Sequence, residues 1–291
     1  MRYVFMRYPG GKPKAVTFSY DDGILQDKRL AELFDKYGMK CTFNFNTAGN
    51  RAPKFTKEEI HEIFLSKGHE IAVHGAEHRA NGSMRPIEGI RDVLDCRLAL
   101  EEMCDTIIRG MAYPDSGISL MGPHGSYEKI KNYLVELDIA YARTHGGDNN
   151  TFRLPEDFHE WMPTAHHKNP KMMQYIDEFL AIDISPSVYH SRRIPRLLYI
   201  WGHSYEFDRN DNWELMEEIC EKLANNDDIW YATNIEIYDY VEAYKRLIYS
   251  ADGYKIYNPT LLTVWLDVDG ELYCVKSGET IRIAPKEKQG I

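Results

Sequence analysis

Thr17-Phe18-Ser19-Tyr20-Asp21-Asp22-Gly23 joins an apolar strand to two adjacent carboxylates and a glycine. Ala15 to Tyr20 reads as a buried strand, and Asp21 and Asp22 stand where it stops. Neighbouring acids repel, so a fold that keeps them together needs a cation or a shared proton. A second apolar run, Glu70-Ile71-Ala72-Val73, ends in His74-Gly75-Ala76-Glu77-His78. Two strand ends therefore deliver Asp, Asp, His and His, a donor set suited to a metal ion. Taken singly, each piece has a plainer reading. Asp21-Asp22 is also a turn or N-cap pair, and His74 and His78 are two of 11 histidines.

Outward from these segments, strand-like runs at 15–20, 41–46, 70–74, 107–113, 139–143, 197–202 and 229–233 alternate with amphipathic helical runs. The helical runs are 27–37, 56–67, 88–104, 126–137, 170–180 and 212–225. Thr56 with Glu59 predicts a capping box, and Gly38 and Gly68 fall where helices should stop. This alternation predicts an α/β fold around a mostly parallel sheet. A distorted (β/α) barrel of seven or eight strands is preferred over an open doubly wound sheet. The chemically interesting residues follow several different strands, always at the C-terminal end, whereas an open sheet gathers them at one switch point.

Two regions break the alternation. Residues 144–169 form a long loop rich in Gly, Asn, His and Trp, a composition that favours a functional segment over a disordered one. Farther on, Leu261–Val268 and Glu271–Val275 flank Asp269-Gly270, the signature of a β-hairpin. The expected organisation is a barrel over 1–250 and a β extension over 251–291 that packs on the barrel or on a second copy in a homo-oligomer. Residues 286–291 are expected to fray.

The chain has 291 residues, 35 basic and 45 acidic, for a net charge of −10. With no basic block, it offers no surface for nucleic acid or an anionic membrane. No run approaches a membrane span, and the start of the sequence lacks a hydrophobic signal core. Cys41, Cys96, Cys104, Cys220 and Cys274 are scattered without any CxxC spacing, which reads as reduced thiols. The expectation is a cytoplasmic protein.

In order, the motifs resemble those of the polysaccharide deacetylases, the NodB-homology group that forms carbohydrate esterase family 4. Phe18-Ser19-Tyr20-Asp21-Asp22-Gly23 is similar to the family's Thr-Phe-Asp-Asp-Gly. Gly68-His69-Glu70-Ile71 leading into His74 and His78 is similar to the second motif. Arg109–Pro114 resembles the third, and Leu198–His203 the last. The likeness spans roughly residues 14–205.

This resemblance implies a distorted barrel of the NodB type and one divalent ion held by Asp22, His74 and His78. Zinc is the default, with Co, Ni, Mn and Fe as alternatives. It implies a metal-dependent hydrolase that removes an acetyl group from an N-acetylated amino sugar or related acetamide, small or oligosaccharidic. Asp21 would be the general base, His203 the general acid and the Tyr113 backbone N–H the oxyanion donor. Arg109, Pro114, Trp161, His166 and His167 are candidates for the substrate pocket.

Three departures stand out. Gly75 replaces the Ser or Thr that usually follows the first metal histidine. Ala112 stands where an arginine generally orients the catalytic Asp, leaving Arg109 as its only nearby substitute. The fourth motif is not clear, with Asp148 and Trp161 as loose stand-ins. Two other readings stay open: an allantoinase- or imidase-like hydrolase, some of which lack a metal, and an idle carbohydrate-binding protein. Loss of His74 or His78 would favour the first, and loss of Asp21 or His203 the second; all four are present.

Overall fold

The structure is a computed structural model that describes residues 2–145 and 147–284. After β1 (Val4–Arg7), a parallel sheet is built from β2 (Lys14–Asp21), β3 (Cys41–Phe45), β4 (Glu70–Val73), β5 (Gly110–Ala112), β6 (Tyr141–Arg143), β7 (Ala165–His166), β8 (Arg196–Gly202) and β9 (Ile229–Tyr231). The strand order is β6-β5-β4-β3-β2-β8-β7, with β9 also paired to β2. The sheet curls into a distorted (β/α) barrel. Its two ends, β6 and β7, do not pair; instead Arg143 bridges Trp161 just ahead of β7.

Helices α1 (Gln26–Lys36), α2 (Lys57–Ile63), α3 (Pro86–Cys104), α4 (Tyr127–Glu136), α5 (Met172–Ala181), α6 (Tyr205–Asn210), α7 (Trp213–Leu223) and α8 (Asn234–Lys245) lie between and after the strands. Thr56 and Glu59 form the expected capping box of α2. None of these helices is long and apolar enough to cross a membrane.

The period of two along β2 separates the two faces of the sheet. Val16, Phe18 and Tyr20 pack beneath Leu30, Ala31 and Phe34 of α1. Thr17, Ser19 and Asp21 face the lumen and hydrogen-bond to Asn234, Asn44 and Arg143. The lumen is therefore polar and must be internally satisfied.

At its lower end the N-terminus of α8 acts as a plug. The Asn234 N–H donates to the Thr42 hydroxyl and the Ile235 N–H to Glu70. Glu70 also accepts from the hydroxyls of Thr42 and Tyr141, both at 2.7 Å. A carboxylate suits a helix N-terminus, whose first amides have no partner within the helix.

The remaining strands are β10 (Ile248–Tyr249), β11 (Lys255–Tyr257), β12 (Val264–Val268), β13 (Glu271–Val275) and β14 (Thr280–Arg282), in two antiparallel sheets. The expected hairpin is β12–β13. Sequence reading missed β1, which pairs with β12 and carries the start of the chain across the boundary placed at 250. Arg7 and Arg193 both clasp Asp267 from the barrel side. Residues 286–291 lie outside the described residues. All five cysteines are free thiols.

Replacing Glu70 by Ala leaves the Ile235 amide and two hydroxyls without their acceptor. A loss of about 3 kcal/mol is expected in urea denaturation, since each buried donor left without an acceptor costs ~1–3 kcal/mol and partial rehydration recovers some of it.

Candidate active site

Every strand of the barrel ends at the same rim, and Asp21, Asp22, His74, His78 and His203 all lie there. Asp22 follows the last residue of β2 with φ 87, and His78 has φ 58. Left-handed backbone at non-glycine residues is costly, and here it recurs at two of three candidate ligands. Asp22 Oδ1 stands 3.9 Å from His74 Nε2 and 3.5 Å from His78 Nε2. The three ligand atoms all lie within 4.8 Å of one another.

His74 is buried, and its Nδ1 lies 2.9 Å from the Ala112 carbonyl oxygen. A carbonyl only accepts, so Nδ1 carries the proton and Nε2 presents a lone pair. That Nε2 is buried with no hydrogen-bond partner. Burial lowers His74 to about 4, so the ring is neutral and ready to ligate. An orphaned lone pair facing a carboxylate and a second imidazole fits a divalent ion.

Gly75 has a physical reason. Its φ is +72, and a Cβ there would fall 2.5 Å from Asp92 Oδ2, so neither Ser nor Thr fits. The loop is instead held by Asn46, which donates to the His74 and Gly75 carbonyls, and by Asp92, which accepts the Glu77 N–H at 2.8 Å.

Asp21 is buried beside this triad. Its Oδ1 accepts from Asn44 at 2.9 Å, and its Oδ2 from Arg143 at 2.5 Å. Burial raises its pKa, but the charge of Arg143 and its hydrogen bond outweigh this, and the carboxyl lies below its usual range. Arg143 is itself fully buried and stacks 4.4 Å over the Trp201 ring. The guanidinium on Asp21 thus comes from the end of β6. Arg109, the substitute that strand geometry would have had to permit and a candidate for the substrate pocket, lies ahead of β5 toward the opposite end of the barrel and pairs with Asp239 at 2.9 Å.

The oxyanion expectation also changes. The Tyr113 N–H donates to the Arg143 carbonyl at 3.0 Å, so it is spent on strand pairing. Pro114 has no N–H, and its ring sits near Gly75. The next amide, at Asp115, has no acceptor among the described residues.

His203 follows β8. Burial lowers its pKa, but Glu206, with Oε2 3.8 Å from Nδ1, together with Asp21 and Asp22, raises it above the ordinary value overall. Glu206 gathers His166 at 3.1 Å, His167 at 3.3 Å and the Lys168 ammonium at 2.8 Å. The adjacent imidazoles of His166 and His167 thus converge on one carboxylate, and these three residues form a second cluster with metal-ligand spacing. His167 fits against Gly202, where a Cβ would fall 2.0 Å from Nδ1.

Trp161 is not at the rim. It is buried with Tyr141, Phe158 and Tyr199 inside the barrel. The aromatic wall beside His203 is Trp201, on which His145 stacks at 5.5 Å. Below the rim, Asp27 joins the two loops by accepting from the Ile24 amide and the Ser204 hydroxyl. Sequence reading missed Arg143, Asn44 and Glu206. A basic residue ending the run 139–143 was the available signal for the first.

Residues 8–121 match the polysaccharide deacetylase family. Among solved structures the chain is similar to an allantoinase, at 15% identity and TM-score 0.56, covering 80% of this chain and 91% of that one. A probable polysaccharide deacetylase from Pseudomonas aeruginosa PAO1 is similar at 16% identity and TM-score 0.55, covering 80% and 92%. The Xyl-CE4 domain of a multidomain xylanase from the hindgut metagenome of Trinervitermes trinervoides is similar at 15% identity and TM-score 0.50, also covering 80% and 92%. At such identities the likeness is one of fold. No curated protein matches the chain.

Replacing Arg143 by Ala strands a buried carboxylate, and a loss of about 3–5 kcal/mol is expected in denaturant titrations at neutral pH. The lowered Asp21 pKa contributes stability above pH of about 4, lost as pH falls through its folded value, so the deficit of the variant should shrink in acid. A variant equally stable at neutral pH would show that Arg143 does not carry Asp21.

Proposed function

We propose that this chain, whose segment 8–121 matches the polysaccharide deacetylase family, hydrolyses the acetamide of an N-acetylated amino sugar or related small molecule. The observation that carries this reading is the buried, unpartnered Nε2 of His74 turned toward Asp22 and His78. Asp22, His74 and His78 would hold one divalent ion, zinc by default. When bound, that ion would polarise the acetamide carbonyl and acidify water beside it.

The chain's own residues supply the proton traffic. Asp21, held by Arg143 and Asn44 with its Oδ2 3.8 Å from His74 Nε2, is placed to take a proton from the attacking water. The water oxygen adds to the carbonyl carbon, the C–N bond breaks, and acetate and an amine leave. His203, kept protonated by Glu206 and the two aspartates, is placed to deliver the proton that the departing nitrogen needs. The Asp115 amide, without an acceptor among the described residues, is one backbone donor available to the developing oxyanion. Trp201 and His145 offer a flat wall for a sugar ring.

Asp22→Ala is expected to abolish both metal binding and acetate release. Asp21→Asn should keep the metal and lose about 100-fold or more in turnover, the usual scale for a general base. A metal-replete, fully active Asp21→Asn protein sinks these roles. In Glu206→Gln the His203 pKa falls, so the alkaline limb of kcat/KM, where the acid deprotonates, should move to lower pH. A limb that stays in place would exclude Glu206 from tuning His203.

A further inference from the structure

Asp22 turns one flank toward a cleft of about 250 Å³ beside the metal-ligand triad. The charges around this cleft are Arg51, Lys54 and Arg209 against Asp22 alone, with Tyr205 and Asn46 between them. Neighbouring clefts have the opposite balance. One along α3 has four carboxylates against two arginines, and one below the 144–162 loop has three carboxylates with no lysine or arginine. In a chain of net charge −10, three cations gathered at one cleft make a local positive field.

These cations are also available. Among the described residues Arg51 pairs with Asp22, at 3.4 Å, and a bound ion would draw that carboxylate's charge to itself. Lys54 touches the Asn50 carbonyl, and Arg209 lies 4.8 Å from the centre of the Tyr205 ring. Neither has a carboxylate partner among the described residues. Two guanidinium forks and an ammonium over an aromatic floor are suited to a phosphate or carboxylate, which arginine grips with paired N–H groups.

We propose that this cleft is a substrate subsite for an anionic substituent, phosphate or carboxylate, on an N-acylated amino sugar. The inference rests on the deacetylase reading above and narrows it from neutral sugars to charged ones. The cleft, below the ~300–1,000 Å³ of sites that enclose a whole ligand, takes the charged substituent and the adjacent ring edge. The acetamide then lies over Asp21 and His203.

The test is calorimetric titration of the intact, metal-loaded protein with N-acetylglucosamine, its 1-phosphate, its 6-phosphate and N-acetylglucosaminuronic acid, with acetate release measured in parallel. At least one charged sugar should bind tenfold or more tightly than the neutral one. In Lys54→Gln/Arg209→Gln that preference should collapse, with the loss in KM rather than kcat. A phosphate-only or carboxylate-only preference identifies the group the subsite takes. Equal binding of neutral and charged sugars, no binding of any, or a preference that survives the double substitution overturns the subsite. Anion-dependent binding without acetate release keeps the subsite and overturns the deacetylase reading. Acetate release without charge preference does the reverse.

Discussion

Adjacent residues on a strand point to opposite faces, so Asp21 and Asp22 cannot both serve the same rim while β2 stays regular. The structure meets this constraint in two ways. Asp21 ends the strand facing the lumen, where Arg143 and Asn44 fix it. Asp22 then enters the left-handed region at φ 87, which turns its carboxylate back toward His74 and His78. Strain at Asp22 is sustained because Asp21 is locked on one side and the Asp22 N–H is tied to the Asn44 carbonyl on the other. The Arg143–Asp21 pair thereby fixes more than one carboxylate. It spans 122 positions of sequence, draws the end of β6 over that of β2, and seats the guanidinium on the Trp201 ring.

The same curvature explains what could and could not be read from the sequence. The strand runs and their C-terminal residues were legible because apolar period and turn chemistry are local signals. Asp22 and His74 stood out as candidates because each directly follows such a run, and His78 because of its spacing from His74. Arg143 was not assigned a role because its partner lies across the mouth, and sheet curvature is not written in any single strand. Arg109 fails for a simple reason: it precedes β5, and at ~3.3 Å per residue it lies about 10 Å below the rim. The Tyr113 amide fails for another, since β5 and β6 keep pairing one residue beyond the regular strand. β1 escaped notice because its partner, β12, lies near the far end of the chain and the pairing leaves no local periodic trace.

Two histidine–carboxylate clusters stand at the rim, and backbone groups separate their chemistry. At His74, Nδ1 faces a carbonyl, so it holds the proton and Nε2 offers an electron pair to its neighbours. At His166, Nδ1 accepts the Lys168 backbone N–H at 3.1 Å, so Nε2 holds the proton and presents it toward Glu206. Glu206 further receives the Lys168 ammonium on its other oxygen. The second cluster already holds the Lys168 ammonium on Glu206 Oε1, while Glu206 Oε2 and His167 Nε2 are buried without a hydrogen-bond partner among the described residues. Similar residues at similar spacing therefore sit in different surroundings. One set turns a neutral imidazole lone pair toward a carboxylate, a donor set that suits a divalent ion. The other sets a carboxylate beside His203 and raises the pKa of that imidazole.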